Sequence, residues 1–150
     1  MTHAKLLLGN GYSATGHRDL MLSCYHVTRN LAACLREDRW SAYIDYNTAA
    51  SYLEWGMDRE ALALLTAAPL GSDPLYFHKL AIAYARLGRP DEAIAALEAR
   101  NAEIDEISAR PEVCTNMSEL LKLTKEKEEN EKRLSGLYER WESLAEAESL

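Results

Sequence analysis

A pattern that recurs at an interval of 32 residues constrains the fold of this chain most strongly. The segments 52–63 and 84–95 carry Tyr, Gly, Glu and Ala in the same order and at the same spacing. The matching pairs are Tyr52 and Tyr84, Gly56 and Gly88, Glu60 and Glu92, and Ala61 and Ala93. A period of this length is typical of helical hairpins that bury their apolar faces against one another.

Each shared position has a physical reason in a helix–turn–helix unit. A glycine where the first helix stops tolerates the left-handed backbone that ends many helices. Pro90 suits the first turn of the next helix, because its missing N–H costs little there. Ala61 and Ala93 are small enough to let two antiparallel helices approach closely. The chain therefore resembles the tetratricopeptide repeat, which implies an all-α fold of antiparallel helical hairpins stacked as an α-solenoid.

Composition narrows the class of protein. Of the 150 residues 47% are apolar, enough for a real core, and only four are proline. The net charge of −7 argues against nucleic acid and anionic membrane surfaces as partners. The three cysteines are widely spaced and no apolar run reaches membrane-spanning length. We therefore expect a cytoplasmic protein with free thiols, no membrane insertion, no bound metal and no cofactor.

We expect three parts along the chain. Residues 1–16 show no clear period and contain turn residues around Gly9 and Gly11, which predicts an irregular segment. Residues 17–111 form the repeat domain, opened by a helix over 17–37 with one apolar stripe. Residues 112–150 form a long amphipathic and charged C-terminal helix.

The C-terminal helix changes character along its length. Asn116 and Glu119 have the spacing of a helix cap. The stretch 124–133 is almost wholly polar, which predicts a solvated helix between two contacts. Apolar residues then return with helical spacing and form an interaction stripe that needs something to pack on. Its members are Leu134, Leu137, Tyr138, Trp141 and Leu144.

The sequence contains none of the common catalytic patterns. There is no nucleophile elbow, no glycine-rich phosphate loop and no H-E-x-x-H zinc motif. Of four scattered histidines only His78 lies inside a repeat, where a groove-lining role is more typical than a role as a base. We therefore expect a protein that is not an enzyme.

The resemblance to the tetratricopeptide repeat implies a partner-binding groove lined by the first helix of each pair. The residues that the repeat register places in this groove are Tyr43, Tyr46, Ala50, Leu53, Leu75, His78, Ile82 and Arg86. This lining is mostly apolar and aromatic, which favours an amphipathic helix as the bound partner. The alternative is that the chain's own first or last helix covers these residues, so that they are core.

Residues 31–88 also resemble the small tetratricopeptide-like chaperones of bacterial type III secretion (the YscG/PscG type). The similarity covers Leu31–Leu35, the spacing to Leu53–Gly56, and the helix from Pro74 to Gly88 with Tyr76 and Phe77. It implies a chaperone that holds an amphipathic helix of the needle subunit, assisted by a small helical co-chaperone. The last 35 to 40 residues extend beyond the expected end of that family.

Two functions follow as hypotheses. The first is a non-catalytic cytosolic chaperone that binds a helical client in an apolar groove. The second is a structural or assembly adaptor that forms a homodimer through the stripe of its C-terminal helix.

Overall fold

The computed structural model describes residues 2–36, 38–67 and 74–149, and all regular elements within these ranges are helices. The prediction of an all-α fold is confirmed. The helices in chain order are α1 (Thr2–Ala14), α2 (Arg18–Cys34), α3 (Asp38–Glu54), α4 (Asp58–Ala67), α5 (Pro74–Arg86), α6 (Pro90–Ser108), α7 (Pro111–Cys114) and α8 (Met117–Glu148). Across these described ranges, no helix is both long and apolar enough to cross a bilayer.

The chain forms two compact units. The N-terminal unit, Met1–Gly71, contains α1 to α4, and the C-terminal unit, Ser72–Leu150, contains α5 to α8. The segments assigned to the two repeats fold as contacting helix pairs, α3–α4 in the first unit and α5–α6 in the second. Their arrangement as a stacked tetratricopeptide array stays a prediction.

Three helix pairs share one turn geometry. Gly16, Gly56 and Gly88, which follow α1, α3 and α5, have φ angles of 78°, 76° and 72°. After each glycine, the next N–H donates to the carbonyl of a tyrosine five residues earlier. These bonds are His17 to Tyr12 at 2.9 Å, Met57 to Tyr52 at 2.8 Å, and Arg89 to Tyr84 at 2.9 Å. The glycine and this bond together form a Schellman motif, which satisfies a carbonyl in the last turn of the helix.

The second helix of each pair also begins alike. The residue five positions after each glycine, Met21, Ala61 or Ala93, is completely buried. In the α5–α6 pair, Ala93 packs in one cluster with Ala81 of the preceding helix, where the small side chain is expected. Tyr12 and Gly16 thus begin a third copy of the pattern, which lies 40 residues before the copy at Tyr52 and Gly56. In this copy methionine, Met21, takes the place of the alanine.

Helix α1 corrects the expectation of an irregular segment over residues 1–16. Gly9 and Gly11 favour a turn in the sequence, yet both lie inside α1. A Cβ at Gly9 would lie 2.5 Å from the ring of Tyr25, so this glycine lets α1 pack closely on α2. The Tyr25 hydroxyl also donates a hydrogen bond to Asn10 Oδ1. Gly9 therefore serves a contact between helices, which local turn chemistry does not indicate.

In the C-terminal unit, α8 packs along α6 instead of forming a separate segment after residue 111. Its 32 residues begin at the predicted cap, where Asn116 Oδ1 accepts a bond from the Glu119 N–H at 3.3 Å. Leu134 is buried in one cluster with Ala81, Ala93, Ile94 and Leu97. The three helices α5, α6 and α8 therefore share this core.

The polar stretch 124–133 of α8 is exposed at six of its ten residues, as its composition predicts, but one face of it packs on α6. Arg100 of α6 is only 3% exposed, and its Nε and Nη2 donate to the Glu126 carboxylate at 2.8 and 3.2 Å. Asn130 is also buried and donates to Asn101 Oδ1 at 3.0 Å. The polar contacts of this face, from Glu126 and Asn130, are with polar side chains of α6, while the other face of the segment is in solvent.

Candidate protein-binding site

The C-terminal unit contains a cleft of about 260 Å³ between α5, α6 and α8. Small and aliphatic side chains form most of its wall, and two arginines of α8 and one histidine of α5 complete it. The lining residues are His78, Ala81, Ile82, Ala85, Leu97, Arg133, Gly136, Leu137 and Arg140.

This cleft brings together residues from two sites that the sequence predicts separately. His78 and Ile82 come from the predicted groove, whereas Leu137 comes from the predicted C-terminal stripe. Helix α8 therefore covers part of the α5 face that the repeat register assigns to a partner. What remains open to a partner is the cleft itself and the part of α8 that continues from it.

His78 is the most unusual polar group in the cleft. Its Nδ1 is buried and has no hydrogen-bond partner in the structure. Burial lowers the pKa of His78, Arg133 and Lys79 lower it further, and Glu129 opposes the shift. The imidazole is therefore neutral at neutral pH and keeps one unused hydrogen-bonding position, which costs roughly 1–3 kcal/mol when it stays unfilled.

The two arginines give the cleft a cationic side. Among the described residues, Arg133 makes two long polar contacts, 3.5 Å to Asn130 Oδ1 and 3.9 Å to Glu129 Oε2. Arg140 is exposed and lies seven residues further on the same face of α8. The cleft thus joins an apolar wall to charges that remain available to a ligand.

The remaining groove residues lie apart from this cleft. In the C-terminal unit, Leu75 is 57% exposed and Arg86 is also exposed. In the N-terminal unit, Tyr46 and Leu53 are buried, Ala50 is half-buried and Tyr43 is exposed.

A different face of α3 lines the cleft of the N-terminal unit. The α3 residues that line this cleft are Ile44, Asp45, Thr48 and Tyr52. None of the four α3 residues predicted for the groove is among them. The repeat register therefore selects a face of α3 on which two of the four residues, Tyr46 and Leu53, are buried.

The five residues of the C-terminal stripe become more exposed along α8. Leu134 is 8% exposed and Leu137 is half-buried. Tyr138, Trp141 and Leu144, which we call the distal stripe, are 41%, 43% and 45% exposed. The Tyr138 hydroxyl donates to the Glu98 carboxylate, so this ring remains anchored to α6.

The helix register explains this gradient. Asn130 is bonded to Asn101, and the two helices run in opposite directions, so Trp141 lies level with the start of α6 at Pro90. Beyond that level α8 continues for about two turns. Trp141 and Leu144 therefore form an apolar surface that α6 does not cover.

A family model described as the ABC transporter C-terminal domain matches residues 85–146. This segment, less than half of the chain, covers α6, α7 and almost all of α8. The α6–α8 pair is thus the part of the molecule that is similar to that domain. Neither the curated proteins nor the solved structures gave a match.

Proposed function

We propose that this chain is a non-catalytic protein-binding module that holds an amphipathic helix of a partner protein. The observation that carries the proposal is the exposure of Trp141 and Leu144 on the same helix face as Leu137 of the cleft. Positions four and seven residues apart on a helix form one continuous strip. The partner helix would lie along this strip, with one end at the cleft and the other beyond the start of α6.

The side chains of the distal stripe suit such a contact. Tyrosine and tryptophan are enriched in the centres of protein interfaces, because they bury a large area with few rotatable bonds. Trp141 is 43% exposed and Tyr138 is 41% exposed, so both have area left to bury. The similarity to the ABC transporter C-terminal domain covers these helices but names no partner for this chain.

The proposal is tested with a fluorescein-labelled helical peptide of about 18 residues, with leucines at positions i, i+3, i+4 and i+7 on one face. We expect wild type to bind it and the double variant Trp141→Ala/Leu144→Ala to bind at least about tenfold more weakly, because two anchor side chains are lost. Fluorescence polarisation measures both affinities.

Met117 and Leu121 provide a matched control. They are also apolar, lie on α8 and are 78% and 69% exposed, but they lie near the opposite end of the helix from the distal stripe. The variant Met117→Ala/Leu121→Ala should bind like wild type. Equal losses in both double variants, or no binding by wild type, would contradict the proposal. A truncation near Thr124 is not a suitable test, because it also removes the buried Leu134.

The more specific hypothesis is a chaperone for a secretion needle subunit, and it rests on the resemblance of residues 31–88. Co-expression with a needle subunit tests it. A soluble complex of fixed stoichiometry, lost in the Trp141→Ala/Leu144→Ala variant, is the expected result. A client that stays insoluble with wild type would remove this hypothesis and leave the general binding function standing.

Self-association is the second candidate, since the same exposed stripe could pack on a second copy of the chain. Light scattering of the full chain distinguishes the two. A wild-type dimer that dissociates in the Trp141→Ala/Leu144→Ala variant would favour the adaptor, whereas a wild-type monomer would exclude it.

A further inference from the structure

The N-terminal unit contains a second, larger cleft, which the proposed function does not use. It measures about 520 Å³ and lies between α2, α3 and α4. Leu22 and Tyr25 of α2, Ile44 and Tyr52 of α3, and Leu64 of α4 give it a largely apolar wall. Clefts of roughly 300–1,000 Å³ with apolar walls and a few fixed polar groups are typical of small-molecule sites.

A buried carboxylate stands in the wall of this cleft. Asp45 is only 5% exposed and forms an ion pair with Arg29, with Nη2 and Oδ2 3.2 Å apart. Arg29 itself is 53% exposed, so most of the cation remains in solvent. Burial raises the pKa of Asp45 and the Arg29 guanidinium only partly offsets this. The carboxylate is therefore incompletely compensated, although it is paired.

We propose that this cleft binds a small organic amine, whose ammonium group pairs with Asp45 and whose apolar body lies against Tyr25, Tyr52 and Leu64. An ammonium group in the cleft would give Asp45 a second cation besides Arg29. A buried charge is stabilised by such direct pairing, because water no longer solvates it.

The other charges around the cleft fit an amine better than an acid. Glu60 of α4 adds a second carboxylate to the lining, opposite in sign to the ligand. His26 and Arg29 of α2 are the cationic or basic members, and both are exposed. A carboxylate ligand would add a third negative charge beside Asp45 and Glu60, whereas an ammonium group offsets the charge already there.

Three compounds with one indole body test the proposal on the full chain. Tryptamine carries an ammonium group, tryptophol a hydroxyl, and indole-3-propionate a carboxylate. We expect tryptamine to bind at least about tenfold more tightly than tryptophol, and indole-3-propionate not to bind measurably. Isothermal titration calorimetry gives the three affinities.

Two variants test whether the Asp45 carboxylate causes the preference for tryptamine. The nearly isosteric Asp45→Asn should bind tryptamine and tryptophol equally. Arg29→Gln removes the cation that competes with the ammonium group for Asp45. At a pH high enough to keep Asp45 ionised without Arg29, it should bind tryptamine more tightly than wild type. Asp19→Asn, which removes an exposed carboxylate of α2 outside this cleft, is the matched control and should behave like wild type.

The same measurements define the results that would overturn the proposal. These are no tryptamine binding by wild type, equal affinity for tryptamine and tryptophol, a preference that survives Asp45→Asn, or a weaker affinity in Arg29→Gln. Circular dichroism and a thermal melt establish whether each variant is folded. If Asp45→Asn does not fold, the affinity of Arg29→Gln for tryptamine tests the proposal.

Discussion

At the scale of single residues, His78 shows which features of a site the sequence predicts and which it does not. Its position in a repeat predicts a place in a groove, and the structure puts it in the wall of a cleft. The sequence does not reveal that Nδ1 lacks a partner, because the burial comes from α8, some 50 residues away along the chain. A long-range contact of this kind leaves no local pattern around the histidine.

The lowered pKa of His78 predicts a pH-dependent stability. Its ordinary value is 6.5, and the folded protein binds the proton less readily than the unfolded chain. As pH falls through about 6.5 the unfolded chain gains protons first, so the unfolding free energy decreases by up to about 1.4 kcal/mol per pH unit.

The variant His78→Leu should lose the part of the pH dependence of stability that His78 contributes. Urea denaturation at about pH 7.5 and about pH 5.5 should show a smaller decrease in stability for His78→Leu than for wild type. The exposed His26 supplies a control, and His26→Leu should retain the wild-type dependence. Identical pH dependence in wild type and His78→Leu would show that His78 stays protonatable in the folded protein.

At the scale of helices, the hairpins were predictable and their packing was not. A tyrosine, three further residues and a glycine predict the ends of α3 and α5, because that turn is a local structure. The same pattern ends α1, but the interval of 40 residues and the buried Met21 conceal it. The contacts of α8 depend on side chains of α6 and so cannot be derived from the composition of α8 alone.

The buried Arg100 of α6 makes two hydrogen bonds to the Glu126 carboxylate of α8. Its removal in Arg100→Leu would leave Glu103 and Glu126 facing each other without their common cation, so we expect a loss of about 3–5 kcal/mol in unfolding free energy. Arg89→Leu is the control, because the Arg89–Glu92 pair is exposed and screened by solvent, so its removal should destabilise the protein much less.

Chemical denaturation measures both losses. The hydrogen bonds that Arg100 donates to Glu126 and Glu103 raise its pKa, so its charge persists at every pH used for such experiments. If Arg100→Leu were as stable as Arg89→Leu, the α6–α8 contact would not depend on this buried pair.

At the scale of the whole molecule, the chain carries two separate candidate sites of different chemistry. The cleft and distal stripe of the C-terminal unit suit a protein helix, whereas the cleft of the N-terminal unit suits a small amine. The sequence predicts a single groove built from both repeats. The resemblance to a repeat supplies the helices and their order, but not which residues of the long C-terminal helix return to pack on them.

The central claim is that a partner helix binds along α8 from the cleft to the distal stripe. An NMR titration of isotope-labelled protein with the leucine-faced peptide tests it most directly. The indole N–H signal of Trp141 is identified by its loss in Trp141→Phe, which separates it from the signals of Trp40 and Trp55. The account predicts saturable shifts at Trp141, Leu144 and Leu137 with little change in the N-terminal unit; shifts confined to the N-terminal unit, or none, would contradict it.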